Sequence, residues 1–184
     1  MKALNPQPEG LKIEDLGDRL VVTRKWYTPS VWLTALFCVI WNAFMFNWYS
    51  IALNHPSPNN IALWFPVIHV GVGIYLAYSA LTGFLNRTVF TLGNGKVVVQ
   101  HGPLPWPGNK TIDSVSVQQF FCDEVVRRGR GGSRSTFRLN AVMKDGRKEV
   151  LFGAGIARDQ VLYIEQIAEA RLGIAPAPVV GELT

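Results

Sequence analysis

The chain has no Asp, Glu, Lys or Arg between Lys25 and Arg87. This uncharged region contains two apolar runs, at residues 30–53 and 61–85, separated by turn-forming residues at 54–60. Each run exceeds the roughly 20 residues that a helix needs to cross ~30 Å of hydrocarbon. The rest of the chain is too short to bury both runs, which argues against the core helices of a soluble domain. The pattern therefore predicts a transmembrane helical hairpin in the lipid bilayer.

Basic residues are also missing from the segment between the runs, whereas Arg24, Lys25 and Arg87 flank the hairpin at its other end. Because cytoplasmic loops carry the excess of Lys and Arg, both termini are predicted to be cytoplasmic and residues 54–60 to be the outer loop. No small-residue cleavage pattern follows the first run. We therefore expect a multi-pass protein of the cytoplasmic (inner) membrane that keeps its hairpin.

Cysteine is scarce, and few patterns in the sequence carry chemistry. Cys38 lies in the first apolar run and Cys122 in a predicted strand, so the two are expected to be buried, unpaired thiols. The sequence has no Cys-x-x-Cys, no His-Glu-x-x-His, no phosphate-binding loop and no nucleophile elbow. We therefore predict no catalytic residue, no metal, no cofactor and no enzyme activity.

The net charge is modest. It is +5 in total, with +1 in residues 1–29, none in the hairpin and +4 in residues 87–184. Such an excess suits a domain held against an anionic leaflet, which makes anionic lipid headgroups candidate partners. It is too small and too dispersed to indicate a nucleic-acid-binding protein.

Outside the hairpin, runs of β-branched and aromatic residues between turn formers predict seven strands. The strongest signal is Asn94-Gly95, because both residues tolerate the positive φ of a type I′ turn. The predicted strands are residues 11–14, 19–26, 88–92, 96–101, 111–126, 136–143 and 147–152. An amphipathic helix is predicted at residues 157–172, where Val161, Ile164 and Ala168 share one face.

These patterns predict an α+β membrane protein with the transmembrane hairpin inserted between the second and third strands. The cytosolic β domain begins with a β hairpin at residues 11–29. It continues at residues 86–174, where the C-terminal helix covers one open end of the sheet. Residues 1–10 are expected to be a flexible N-terminus and residues 175–184 a flexible tail.

Five short motifs extend over most of the chain: VTRKW at 22–26, WNAF at 41–44, GFLNRT at 83–88, GPLPWPGN at 102–109 and VLYIEQ at 161–166. They resemble motifs of an uncharacterised bacterial family of two-span membrane proteins. Seven strands followed by one helix likewise resemble the pleckstrin-homology-like (PH-like) β sandwich or barrel. The resemblance implies a bacterial inner-membrane protein and no catalytic residue.

Phosphoinositide-binding members of the PH class carry several bases around the first hairpin loop. This chain has Glu14, Asp15 and Asp18 there, with Arg19 as the only nearby base. Specific inositide binding at that loop is therefore not expected. The resemblance instead implies a protein or peptide partner, although fold alone does not determine function.

The densest basic cluster comprises Arg127, Arg128, Arg130 and Arg134, in a glycine-rich segment between the predicted fifth and sixth strands. Four guanidinium groups on a flexible loop can bind lipid phosphates or an acidic partner. The alternative is a solvated hairpin tip that keeps a sheet edge from aggregating. Nucleic acid is not an expected partner, because no aromatic residue alternates with the arginines to stack on bases.

Trp106 lies among the alternating prolines of residues 103–108. The prolines enforce an extended, stiff segment, which holds the indole at low entropic cost. Trp106 is therefore a candidate recognition anchor or interfacial membrane anchor. The alternative is that it packs over the edge of the sandwich.

Three polar side chains in the apolar runs, Asn42, Asn47 and His69, are candidates for intramembrane contacts. We expect Asn42 or Asn47 to bond across the hairpin, and His69 to meet a backbone carbonyl or a partner helix. A metal or haem at His69 is the weaker alternative, since no second ligand lies at helical spacing. Small residues on the second run permit close helix packing, which favours a homo-oligomer or a larger complex.

Two functions are compatible with these features. In the first, the hairpin anchors a non-enzymatic interaction or scaffold module that binds a protein, a peptide or the anionic leaflet through the arginines and Trp106. In the second, the chain is an accessory subunit of a channel, transporter or redox assembly and acts through its membrane helices. We predict the first.

Overall fold

A computed structural model of the chain describes residues 6–55, 61–129, 132–153, 155–175, 177 and 181–183. The chain divides into a β unit of residues 1–25 and 87–184 and a helical unit of residues 26–86. The class is α+β, with two antiparallel sheets and two long apolar helices, which confirms the predicted class. Residues 1–5 of the predicted N-terminal segment and residues 56–60 of the predicted outer loop lie outside the described residues.

The helical unit contains two candidate membrane spans, α1 (Val31–Asn54) and α3 (Val67–Leu85), by length and composition. Leu33, Phe46 and Ile68 are at least 70% exposed, as expected of side chains that face lipid. The predicted second span at 61–85 is interrupted, because a short α2 (Ile61–Trp64) precedes α3. The break comprises residues 65 and 66, and Pro66 accounts for it because its ring clashes with the preceding turn and it has no N–H to continue a helix.

The first sheet of the β unit has five strands that pair in chain order. They are β1 (Leu11–Asp15), β2 (Arg19–Lys25), β3 (Arg87–Gly93), β4 (Lys96–Gly102) and β5 (Lys110–Asp113). Asn94 and Gly95 join β3 to β4 at φ 52° and 71°, the positive values that the predicted turn requires. The pairing of β2 with β3 ends at Lys25 opposite Arg87, so the two residues that bracket the uncharged region are neighbours in the sheet.

The second sheet consists of β6 (Val117–Gly129), β7 (Gly132–Met143) and β8 (Lys148–Phe152). The described residues thus form eight strands, where the sequence predicts seven. The predicted strand at 111–126 is divided by a 3-10 turn at Ser114–Ser116. At this turn Ser114 N–H donates to Gly95 O and Lys144 N–H donates to Ser116 O, both at 2.9 Å. The chain passes from the first sheet to the second between these two bonds.

The β6–β7 hairpin is longer than the sequence predicts. Its strands pair as far as Gly129 opposite Gly132, rather than ending at residue 126 and resuming at residue 136. Residues 127–129 and 132–134 are therefore strand and not a flexible loop. Glycine at both positions removes side-chain crowding next to the turn, and Gly132 has a φ of 116° that other residues rarely adopt.

The helix α4 (Arg158–Leu172) packs against β6 and β7. It begins one residue after the predicted start, and Gly173 ends it at φ 64°. Its predicted apolar face, Val161, Ile164 and Ala168, is at most 1% exposed. In the core, the rings of Phe90 in the first sheet and Phe120 in the second meet edge-on, with 6.5 Å between centroids.

Two described residues of the tail, Ala177 and Leu183, are hydrogen-bonded to β6. Leu183 N–H donates to Cys122 O at 2.8 Å. Gln119 binds Ala177 twice: Nε2 donates to Ala177 O at 2.6 Å, and Oε1 accepts from Ala177 N–H at 3.2 Å. The sequence does not predict these bonds, because the partners are far from the tail in the chain; residues 176, 178–180 and 184 of the predicted flexible tail lie outside the described residues.

Candidate functional site

The predicted arginines lie at the end of the β6–β7 hairpin, in a two-stranded segment of residues 124–129 and 132–137 that we term the arginine ribbon. Of the described strands, β8 reaches only residues 139–142 of β7 and so does not extend along the ribbon. Arg127 and Arg128 are exposed, and Arg127 is paired in register with Arg134. Arg130 and the side chain of Arg134 lie outside the described part. Like charges at opposed strand positions repel, and an anion would relieve this repulsion.

An ion pair closes the base of the ribbon. Arg138 Nε donates to Asp123 Oδ1 at 3.0 Å, and its Nη2 donates to Oδ2. Asn140 Nδ2 donates to the same Oδ1 at 3.0 Å. The hydrogen bond from Arg138, followed by that from Asn140, holds the pKa of Asp123 below its usual range. The positive charge of Arg138 is thus neutralised by Asp123 within the β unit. The remaining positive charge of the hairpin lies towards its tip.

Trp106 is half-buried in the segment that joins β4 to β5, so it belongs to the first sheet and not to the arginine ribbon. The two ends of this proline segment are held together by Asn109, whose Oδ1 accepts from His101 N–H at 2.7 Å. Burial lowers the pKa of His101, whose Nδ1 lies 3.0 Å from Thr88 Oγ1. Half-burial of the indole is compatible both with an anchoring role and with packing over the edge of the sandwich. Both stay predictions.

In the helical unit, Asn42 of α1 faces Gly73 of α3. Asn42 Nδ2 donates to Cys38 O at 2.8 Å and lies 3.4 Å from Gly73 O, the contact across the hairpin that the sequence predicts for one of the two asparagines. A Cβ at Gly73 would lie 2.6 Å from Asn42 Oδ1, so the glycine is required for this approach. Asn47 is exposed on α1.

His69 is held by its backbone and its ring face. Trp41 Nε1 donates to His69 O at 3.0 Å, and the two rings stack with 5.7 Å between centroids and 18° between planes. His69 Nδ1 is buried and has no hydrogen-bond partner among the described residues. No backbone carbonyl of the described residues therefore pairs with His69 Nδ1. A contact between the imidazole and a partner helix stays a prediction.

Asn42→Ala is expected to destabilise the hairpin by about 0.6 kcal/mol, the average for side-chain hydrogen bonds between membrane helices. Asn47→Ala is the matched control, because it removes the same amide from an equally exposed position of the same helix that has no hydrogen bond to α3 among the described residues. Titration of the detergent-solubilised protein with SDS, followed by tryptophan fluorescence, measures both. Equal destabilisation by the two changes would contradict a specific role for Asn42.

A group of carboxylates beside β6 was not singled out from the sequence. Glu165 and Glu169 lie one turn apart on α4 and are only 8% and 6% exposed. The backbone of Phe120 hydrogen-bonds to the carboxylate of Glu169, whose Oε1 has no partner in the described part of the chain. Burial raises the pKa of Glu169 to about 7, and Glu165 and the tail residue Glu182 add to the increase. Acidic residues at i, i+4 directly beside an apolar helix face are the signal that would have found this pair.

Comparison with known proteins adds no relative: no protein-family model matches the chain, and no curated protein matches it. Among the described residues, no three His, Cys, Asp or Glu side chains lie close enough together to hold a metal ion. The candidate surfaces are therefore the arginine ribbon, the Trp106 segment, the polar contacts of the helical unit and the edge of β6.

Proposed function

We propose that the chain is a membrane-anchored, non-enzymatic interaction module of the bacterial inner membrane. The helical hairpin is the anchor, and the β unit, a PH-like domain, is presented at the cytoplasmic face to a protein partner or to anionic headgroups. The family resemblance, the charge-free helices and the basic residues at their shared end support this proposal.

One observation carries the proposal: β2 and β3 are paired along their whole length although the uncharged region separates them in sequence. A hairpin that leaves one strand and re-enters the next, with Lys25 opposite Arg87, leaves the sheet intact. The anchor is thus an insertion that the β unit tolerates. Insertions into loops between neighbouring strands are generally tolerated. This arrangement suits a domain that must be held at a surface while it keeps its own core.

The PH-like assignment is supported by the order of the elements. Antiparallel strands follow one another through two sheets, and one amphipathic helix ends the domain against the second sheet. The first hairpin loop is acidic and engaged within the β unit, since Asp15 forms an ion pair with Arg171 at 3.3 Å. A binding surface for anions is therefore proposed at the arginine ribbon and not at this loop.

Replacement of Arg127, Arg128, Arg130 and Arg134 by Ser is expected to weaken binding of anionic vesicles at least about tenfold, since each base near such a surface contributes about 1 kcal/mol. The full chain is held in neutral-lipid nanodiscs, and its binding to phosphatidylglycerol vesicles is measured at low and high salt. The dependence of binding on salt should decrease together with the affinity. Stability should change by less than about 0.5 kcal/mol for each substitution at an exposed position such as Arg127 or Arg128.

The matched control replaces four exposed bases elsewhere on the β unit: Lys12, Arg19, Lys96 and Lys144. This variant has the same net charge as the ribbon variant but keeps the ribbon. Equal loss of binding in both variants would show that only net charge matters, and the ribbon would then be a solvated turn.

A second candidate function, an accessory subunit that acts through its membrane helices, is favoured by His69. Its buried Nδ1, which has no hydrogen-bond partner in the described part of the chain, is an unusual feature in an apolar setting, and a helix of a partner would satisfy it. The double change of His69 and Asn42 to Ala separates the two candidates. Loss of complex assembly in this variant, with normal assembly of the ribbon variant, would favour the subunit function.

A further inference from the structure

We propose that the end of the first sheet formed by Lys25, Arg87 and Gly102 binds an anionic phospholipid of the membrane that holds the chain's own anchor. Lys25 and Arg87 hold the lipid phosphate, and a hydroxyl-bearing headgroup lies in the groove beside Arg87. The site is separate from the arginine ribbon. The inference rests on the proposed function, because it requires that the helical hairpin span the membrane.

The path of the chain places Arg87 next to the end of a membrane span. α3 ends at Leu85, two residues before Arg87, and two residues extend no more than about 7 Å. Lys25 is paired with Arg87 at the end of the β2–β3 ladder. Long basic side chains beside the end of a span can reach the lipid phosphates of the interface. Both cations are therefore in a position to bind the headgroup region.

Lys25 and Arg87 carry unbalanced charge on one face of the sheet. Both are exposed, and neither forms an ion pair with a described residue. The buried positions of their strands alternate through Val22 and Phe90, so the two cations lie together on the opposite, outer face. Like charges at opposed strand positions repel, and a phosphate bound to both would replace this repulsion by attraction.

A groove of about 330 Å³ adjoins Arg87. Small-molecule sites typically measure about 300–1,000 Å³, so the groove has room for a headgroup rather than for a whole lipid. Its walls come from the start of β3, the end of β4 and the proline segment that follows. The residues used here are Arg87, Val89, Gln100, His101, Pro103 and Asn109.

The lining of the groove favours an anionic headgroup that carries hydroxyl groups. Gln100 and Asn109 supply amides, which both donate to and accept from hydroxyls. Asn109 Oδ1 accepts from His101 N–H at 2.7 Å, which fixes this amide at the wall. The described lining has no carboxylate and no Phe, Tyr or Trp ring to bind the quaternary amine of a choline headgroup. Phosphatidylglycerol satisfies these conditions, with its phosphate at Arg87 and its glycerol at the amides.

The test measures lipid binding to the full chain in an uncharged detergent by native mass spectrometry. The ligands are phosphatidylglycerol, phosphatidylcholine and glycerophosphoglycerol, which is the phosphatidylglycerol headgroup without acyl chains. The tightest site should prefer phosphatidylglycerol to phosphatidylcholine at least about fivefold, the effect of one base near an anionic surface. Glycerophosphoglycerol should bind more weakly than the lipid, because it lacks the chains that the detergent micelle or bilayer retains.

Variants of Arg87 locate the phosphate. Arg87→Gln should weaken phosphatidylglycerol binding about tenfold, because it removes charge-assisted hydrogen bonds. Arg19→Gln is the matched control, since it removes the same side chain from the other end of the same strand pair and should leave the affinity unchanged. Arg87→Lys keeps the charge without the planar fork and should restore only part of the affinity. The Ser variant of the arginine ribbon should keep the preference.

Gln100→Leu tests the groove with no change in charge, and so with no change in the residues that orient the hairpin. It should weaken phosphatidylglycerol binding about fivefold, by loss of hydrogen bonds to the glycerol, and leave phosphatidylcholine binding unchanged. Gln118→Leu, at an exposed position of β6, is its control. This measurement keeps the proposal testable if Arg87→Gln disturbs insertion.

Equal affinity for the two lipids, or equal loss of binding in Arg87→Gln and Arg19→Gln, would overturn the proposal. Glycerophosphoglycerol that binds as tightly as the lipid would show a site for a soluble phosphodiester and overturn the lipid assignment. Membrane insertion and vesicle binding of the same chains separate these results from failure of the proposed function. A chain that inserts and binds vesicles through the ribbon, but has no lipid preference, loses only this site. A chain that does not insert contradicts both.

Discussion

Deletion of residues 1–25 is expected to abolish cooperative folding of the β unit. Leu11, Leu20 and Val22 are at most 6% exposed and belong to the same core as Phe90. Loss of a buried aliphatic side chain typically costs about 2–5 kcal/mol. Removal of three therefore costs about as much as the whole free energy of unfolding of a typical domain, about 5–15 kcal/mol. The deletion would also expose the edge of β3 that β2 covers.

The matched control joins residues 1–25 directly to residues 87–184 through a two-residue Asn-Gly turn. Lys25 and Arg87 are paired neighbours in antiparallel strands, so this turn is long enough to close the hairpin. We expect the joined chain to be soluble and to unfold in a single transition in urea, and residues 87–184 alone to aggregate or to lack a transition. Cooperative unfolding of residues 87–184 alone would contradict an undivided β unit.

Glu169→Gln is expected to stabilise the β unit at alkaline pH but not at acidic pH. The pKa of Glu169 in the fold is about 7, above its value of about 4.3 in an unfolded chain. The folded state therefore holds the proton more tightly, and stability that is complete below about pH 4.3 is lost as the pH rises towards 7. Because solvent screens part of the pKa shift, we expect the free energy of unfolding to fall by about 2 kcal/mol, less than the whole shift would give.

Glutamine has no proton to lose and keeps an oxygen for the backbone of Phe120, so the variant should lack this dependence. Urea unfolding of the joined chain at pH 4.5, 6 and 8 measures the difference, and Glu124→Gln at an exposed position of β6 is the control. A variant whose stability falls with pH as steeply as that of the unchanged chain would contradict a strained carboxylate at this site.

Local signals in the sequence predict the parts of the fold that are decided locally. The absence of charge marks the two apolar helices, and Asn94-Gly95 marks a turn with positive φ. The turn at Ser114–Ser116 was missed because Val115 and Val117 keep the alternation of a strand through it. The extension of β6 to Gly129 was missed because glycine has low strand propensity, which cross-strand pairing overrides here.

The candidate site was less predictable, because its contacts join distant parts of the chain. The arginines are visible as a cluster, but their place on paired strands depends on register. Pro176 and Pro178 indicate a loose tail, and only the fold brings Ala177 to Gln119. Burial of Glu169 likewise depends on the packing of α4 against β6 and has no strong local signal.

The orientation of the hairpin decides whether the β unit is a membrane-anchored module at the cytoplasmic face. Alkaline phosphatase and green fluorescent protein are fused in turn within residues 56–59 and after Thr184 in bacterial cells. Because Arg24, Lys25 and Arg87 lie at one end of the hairpin, we expect phosphatase activity only from the loop fusion and fluorescence only from the C-terminal fusion. Phosphatase activity from the C-terminal fusion, or fluorescence from both fusions, would contradict it.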